Sequence, residues 1–145
     1  GSNLERIVRT AHRPVIVASR AFKPVNRVLV AYDRGASAMK AVDHIARSSL
    51  FRGLAVSVVT VGAETTEVLK GLEDAKSVLK AAGIEAETAV IAGQPETALG
   101  ELVERDGYDM VVMGAYGHSR IRSLIIGSTT TEMIRSCKVP IVLMR

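Results

Sequence analysis

From residue 27 onward, short Val- and Leu-rich runs alternate with amphipathic stretches, and that alternation limits the possible folds more than any other feature. Arg27–Tyr32 and Ala55–Val61 are rich in Val and Leu, Ala86–Ile91 alternates more weakly, and Met110–Met113 and Ile141–Met144 are short and apolar. Continuous apolar runs of this length suit parallel strands buried on both faces. Between them, Ser37 is placed to cap a first helix burying Ala41, Val42, Ile45 and Ala46. A second helix, about Glu67–Ala82, repeats Val68, Leu69, Leu72, Ala75, Val78 and Leu79 and stops at Gly83. Pro95 stands near the start of a third, with Ala98, Leu99, Leu102 and Val103 inward. Strands joined by helical crossovers predict an α/β fold with a five-stranded parallel sheet and helices on both faces. Periodicity alone leaves the strand order open.

The segment around the fourth strand carries the chemistry. Asp109-Met-Val-Val-Met113 ends at Gly114, and Gly114-Ala-Tyr-Gly117 is followed, after nine residues, by Gly127-Ser128. Glycines at the carboxyl end of a strand can take positive φ and let the main chain approach a phosphate with no Cβ in the way. The second cluster opens a helix: Ser128 or Thr129 serves as N-cap, with Glu132 completing a capping box from Thr129. Unpaired N–H groups and the helix dipole there favour an anion by about 0.3–1 kcal/mol when exposed and ~2 kcal/mol when partly buried. The glycines read otherwise as turn residues. The pattern is neither a Walker loop, since no Gly-Lys-Ser/Thr follows, nor the dinucleotide fingerprint Gly-x-Gly-x-x-Gly.

Gly114-x2-Gly117-x9-Gly127-Ser128 resembles the nucleotide motif of the universal stress protein family, whose ATP-binding members carry this spacing before their last helix and strand. The likeness runs on from Thr129 to Arg145 and begins at Arg27-Val-Leu-Val-Ala-Tyr-Asp33, so it covers a domain from about Asn26 to Arg145. It implies strand order 3-2-1-4-5, in the adenine nucleotide alpha hydrolase-like manner, with the ends of the first and fourth strands at the switch point. It also implies ATP as ligand: Asp33 beside the adenosine, Val61 main chain reading the adenine edge, and Gly114, Gly117, Gly127 and Ser128 holding ribose and phosphates, with Met113 and Thr129 adjoining. The alternative reading of Asp33 is a turn carboxylate bonding the N–H groups of Gly35 or Ala36. Arg34-Gly-Ala departs from the small polar residues usual after that aspartate. Arg120 is a candidate clamp on the terminal phosphate or a solvated charge, and Arg122 is a weaker one. Any Mg²⁺ would arrive with the nucleotide, held by phosphate oxygens and water. No metal site is expected, because His12, His44 and His118 have no ligand spacing.

The chain also opens with a copy of its own ending. Gly1 through Val17 aligns without gaps on Gly127 through Leu143, each position falling on the one 126 later, with Gly1 on Gly127, Ser2 on Ser128, Arg9 on Arg135, Pro14 on Pro140, and apolar on apolar in the strand that follows. A repeat of domain length indicates tandem domains. Residues 1–20 are then the last helix and strand of a preceding similar domain, 21–26 a linker broken by Pro24, and 27–145 a universal stress protein domain. Gly1-Ser2 taken alone is also a common cloning scar. The resemblance implies dimerisation through the last strand. Pro140–Arg145 and its copy Pro14–Ser19 are expected to meet as a homodimer or as a tandem pseudo-dimer, paired within one chain or exchanged between two.

At 145 residues, 48% apolar and 23% charged, the chain holds one sizeable core and resembles an ordinary soluble protein. No apolar run reaches membrane-spanning length and no signal-peptide pattern opens the chain. One cysteine, Cys137, which reads as a packed residue rather than a reactive thiol, fits a reducing cytoplasm. A net charge of +4 attracts polyanions in general, but 3% aromatic content and no tryptophan leave little for base stacking, which argues against nucleic acid. Phosphoryl transfer asks for positioned carboxylates and a phosphate-neutralising lysine, and the crevice offers one obvious carboxylate. The leading expectation is therefore a nucleotide-dependent stress-response regulator or sensor with no catalytic residue and at most slow ATP hydrolysis. A slow ATPase or phosphotransferase and a non-binding dimerisation scaffold are the alternatives.

Overall fold

A computed structural model describes residues 6, 7, 10, 11, 13–18, 23–115 and 138–144. Six strands, β1 (Val15–Val17), β2 (Arg27–Ala31), β3 (Ala55–Val61), β4 (Ala86–Ile91), β5 (Met110–Gly114) and β6 (Ile141–Met144), form one sheet. The described helices longer than one turn are α1 (Ala36–Arg47), α2 (Thr66–Ala81) and α3 (Pro95–Asp106).

The sheet order is β1-β6-β5-β2-β3-β4. Strands β2 to β6 are mutually parallel and follow the order 3-2-1-4-5. The expected count of five strands is exceeded, because β1 adds an antiparallel strand against β6 and makes the sheet mixed. The main-chain groups on the outer edge of β6, which a five-stranded sheet would leave unpaired, thereby gain partners within the chain.

Successive side chains of each central strand point to opposite faces, and both faces are covered. Val28, Val30, Val56, Val58, Val112 and Val142 pack under α1 and α2 with Ala41, Val42, Ile45, Leu72, Ala75 and Leu79. Leu29, Val59, Val111, Met113, Ile141 and Leu143 pack on the other face with Leu99, Leu102 and Val103 of α3. That two-sided burial is why the strands read as unbroken apolar runs.

Helix starts follow local chemistry. Thr65 caps α2, its hydroxyl accepting the Val68 N–H at 3.1 Å, and Pro95 occupies the first turn of α3. Two expectations need correction. Ser37 does not cap α1: Gly35 is the N-cap and Ser37 lies inside the helix, 7% exposed, because the chain has already turned at residues 33–35. Leu69 does not face the core but is 45% exposed, one helical step off the stripe of Val68, Leu72, Ala75 and Leu79. At the amino-terminal end of the sheet, Asp109 Oδ2 accepts the N–H groups of Asn26 and Arg27, each at 2.9 Å, which fixes where the chain enters β2. No helix among the described residues is long and apolar enough to cross a membrane.

Candidate functional site

The register brings three of the candidate residues to one edge of the sheet. Ala31 stands beside Val59 on one side and Met113 on the other, so Asp33, Val61 and Gly114 lie at the carboxyl ends of three adjacent parallel strands. From β2 the chain crosses to β3 on one side, whereas β5 on the other side is reached only after β4. The crevice between β2 and β5 is therefore the switch point of the sheet, the place where open α/β folds take their ligands.

The Asp33 loop is stitched in place by hydrogen bonds. The Tyr32 N–H donates to the Val59 carbonyl at 2.9 Å, and the buried Thr60 hydroxyl donates to the Tyr32 carbonyl at 2.7 Å. Beyond them the chain bends, and Asp33 Oδ1 accepts the Gly35 N–H at 2.8 Å. This is the turn role open to Asp33 in the sequence; the residue itself is exposed, and α1 begins at Ala36, one position after the turn. Arg34, at the apex, has φ 67°, in the left-handed region that non-glycine residues rarely adopt. Gly35 is the turn partner that the sequence offered for Asp33, whereas the roles of Thr60 and Arg34 were missed by sequence reasoning. The departure at Arg34-Gly-Ala was the one available signal.

Gly114 has a packing task of its own. A Cβ placed on it would stand 2.6 Å from Ser37 Cβ, 3.2 Å from the Ala38 nitrogen and 3.3 Å from the Ser37 carbonyl carbon. The bare backbone thus lets the start of α1 close onto the end of β5. Met113, before it, is 5% exposed and packs in the α3-side core. Val61 is half-buried at the end of β3, where the next residue, Gly62, donates its N–H to the Ile91 carbonyl at 2.8 Å.

On the α2 side of the loop lies a pocket of about 260 Å³ lined by Tyr32, Arg34, Glu67, Lys70, Gly71 and Asp74. Its charges are mixed, with Arg34 Nη1 3.8 Å from Glu67 Oε2. The Tyr32 hydroxyl reaches Met39 Sδ at 2.6 Å. Burial first, and then the Asp74 carboxylate, hold the Tyr32 phenol above its ordinary value of 10.0.

Gly117, Arg120, Gly127, Ser128 and Thr129 lie outside the described residues, as do Arg122, His118 and Cys137. The described geometry covers the half of the candidate site built from β2, β3 and β5.

Comparison with known proteins assigns the family. The profile of the Universal stress protein family matches residues 62–145, more than half of the chain, and the chain belongs to that family. The universal stress protein Slr1230 of Synechocystis sp. is 38% identical over 147 residues, covering all of this chain and 51% of the relative. This chain therefore spans about half the length of that relative. A universal stress protein structure from Archaeoglobus fulgidus superposes with TM-score 0.75 at 25% identity, covering 97% of this chain and 52% of that one. A universal stress protein solved in complex with cAMP gives TM-score 0.69 at 22% identity, covering 85% and 99%. One from Arabidopsis thaliana with AMP bound gives 0.64 at 17% identity, covering 82% and 90%.

Proposed function

We propose that this chain is an adenine-nucleotide-binding domain, with ATP as its ligand, that acts as a nucleotide-dependent regulator or sensor in the stress response. The observation that carries the reading is the convergence of Asp33, Val61 and Gly114 at the switch point between β2 and β5. The adenine nucleotides held by the similar structures, cAMP in one and AMP in another, give the ligand class. Asp33 and the Val61 main chain would flank the adenosine, Met113 and Gly114 would adjoin the ribose, and Gly117, Arg120, Gly127, Ser128 and Thr129 would take the phosphates, whose oxygens, with water, would hold any accompanying Mg²⁺. Asp33 already accepts the Gly35 N–H, which suits a carboxylate that fixes a binding loop more than one that abstracts a proton. The test is the nucleotide content of the freshly purified protein, by mass spectrometry of the denatured supernatant, with calorimetry on wild type and Gly117→Val. Stoichiometric adenine nucleotide lost in the variant supports the proposal; no nucleotide and no binding heat in wild type sinks it.

We further propose that residues 1–20 end a preceding similar domain and that the protein works as a tandem pseudo-dimer in a reducing cytoplasm, in keeping with its single cysteine. The register supports this. Ile16 pairs with Val142, its own counterpart 126 residues on, while Val15 pairs with Leu143 and Val17 with Ile141. The two copies thus meet antiparallel about their equivalent residue, as a local two-fold axis requires. Ile16→Cys with Val142→Cys, in a Cys137→Ser background, should oxidise to a bridge within one chain. Bridged dimers, or no bridge, would contradict it.

A further inference from the structure

Arg34 is the one non-glycine residue with positive φ among the described residues, and it stands between the two ends of the turn that Asp33 closes on Gly35. An L-residue enters that region roughly tenfold less readily than its ordinary backbone states. A loop keeps such a state when its surroundings over-determine it. Two contacts do so here. The Arg34 side chain lies along α2 where Gly71 has no side chain: a Cβ built on Gly71 would stand 2.7 Å from Arg34 Cδ and 3.0 Å from Cγ. Its guanidinium then faces Glu67, in the first turn of α2, with the Arg34 side chain 33% exposed. Since α2 is entered from Val61 through residues 62–65, this contact bridges the two loops that carry Asp33 and Val61.

We infer that Arg34 is a positioning residue for the nucleotide: its side chain, laid on bare Gly71 and facing Glu67, holds the left-handed turn of its own loop and so presets Asp33 for the adenosine. The inference rests on the nucleotide reading above. Glycine takes positive φ without penalty, so a glycine at position 34 needs no such support. Alanine there keeps the penalty and loses the support. A methyl group at Gly71 displaces the Arg34 stem, which is flexible enough to swing aside, and an alanine suits the interior of α2 better than a glycine.

Calorimetric titration of ATP with Mg²⁺ into the full chain tests this. Gly71→Ala and Arg34→Ala should each bind about tenfold more weakly. Arg34→Gly should stay within about twofold of wild type, and adding Gly71→Ala to Arg34→Gly should change nothing further. Gly71→Ala should melt no lower than wild type, so that its weaker binding is not a folding defect. The inference is overturned if Arg34→Gly binds as weakly as Arg34→Ala, which would make the guanidinium a direct ligand contact. It is equally overturned if Gly71→Ala leaves affinity unchanged or is as damaging in the Arg34→Gly background. Should wild type bind no nucleotide, the functional reading fails, and hydrogen exchange at the Gly35 N–H decides the positioning role by itself. Faster exchange in Gly71→Ala and in Arg34→Ala, but not in Arg34→Gly with or without Gly71→Ala, supports it; any other pattern overturns it.

Discussion

Replacing Gly114 by alanine places one methyl group where the structure has no room for it. The new Cβ would meet Ser37 Cβ at 2.6 Å, about 1 Å inside the separation at which two carbons attract. Two further contacts, to the Ala38 nitrogen and the Ser37 carbonyl carbon at 3.2 and 3.3 Å, are with backbone, so no rotamer change relieves them. Helix α1 must shift away from β5, and Ala38, Ala41, Val42 and Ile45, none more than 1% exposed, must shift with it. Overpacking of a rigid contact typically costs about 1–3 kcal/mol, and the involvement of backbone puts Gly114→Ala at about 2–3 kcal/mol. At about 4 °C per kcal/mol for a chain of this size, the melting temperature should fall by about 8–12 °C. Urea unfolding of Gly114→Ala, Ser37→Gly and the double variant measures it. Removing the Ser37 Cβ abolishes the shortest contact, so the double variant should be more stable than the two single effects added together. An alanine that changes stability by under about 0.5 kcal/mol, or strict additivity in the cycle, would refute the packing argument.

Thr60→Val keeps the shape of a buried side chain but leaves the Tyr32 carbonyl without the donor now 2.7 Å away, which should cost about 1–3 kcal/mol in urea unfolding. An unchanged urea midpoint would show that the Asp33 loop does not depend on this bond. Tyr32 gives the alkaline limb of stability. Its phenol is held above 10.0 by burial and by Asp74, so the folded chain keeps the proton where the unfolded chain has released it. Stability is then fully present below about pH 10 and falls as the pH rises through the folded value, and Tyr32→Phe should flatten that fall in a series of melts at increasing pH. A wild-type chain whose alkaline loss matches that of the phenylalanine variant would assign the loss to other groups.

Much of the scaffold was legible because the central strands are buried on both faces and so announce themselves as short apolar runs. Ala55–Val61, Ala86–Ile91 and Ile141–Met144 have the bounds read from the sequence. Helix α2 begins and ends within a residue of its expected bounds, since Thr65 and Gly83 flank it with ordinary capping chemistry. The site was less legible, because its geometry depends on contacts between distant residues. Nothing near Gly114 in sequence announces Ser37, and nothing near Gly71 announces Arg34. The Thr60 hydroxyl finds the Tyr32 carbonyl 28 positions away. Ser37 failed as a cap for a related reason: the left-handed turn at Arg34 started the helix at Ala36, a backbone state that arginine does not advertise. Asp33 was readable in both of its possible roles, and the bond to Gly35 shows that the turn role is present without removing the carboxylate from the crevice edge.

The central claim is that an adenine nucleotide sits across the carboxyl ends of β2, β3 and β5. A titration of ATP and Mg²⁺ followed by amide chemical shifts tests it most directly. The account predicts saturating shifts at Asp33–Ala36, Val61–Gly62 and Met113–Ala115, with the distant ends of the same strands, near Arg27 and Met110, unmoved. No shifts at those three strand ends, or shifts confined to another part of the molecule, would contradict it.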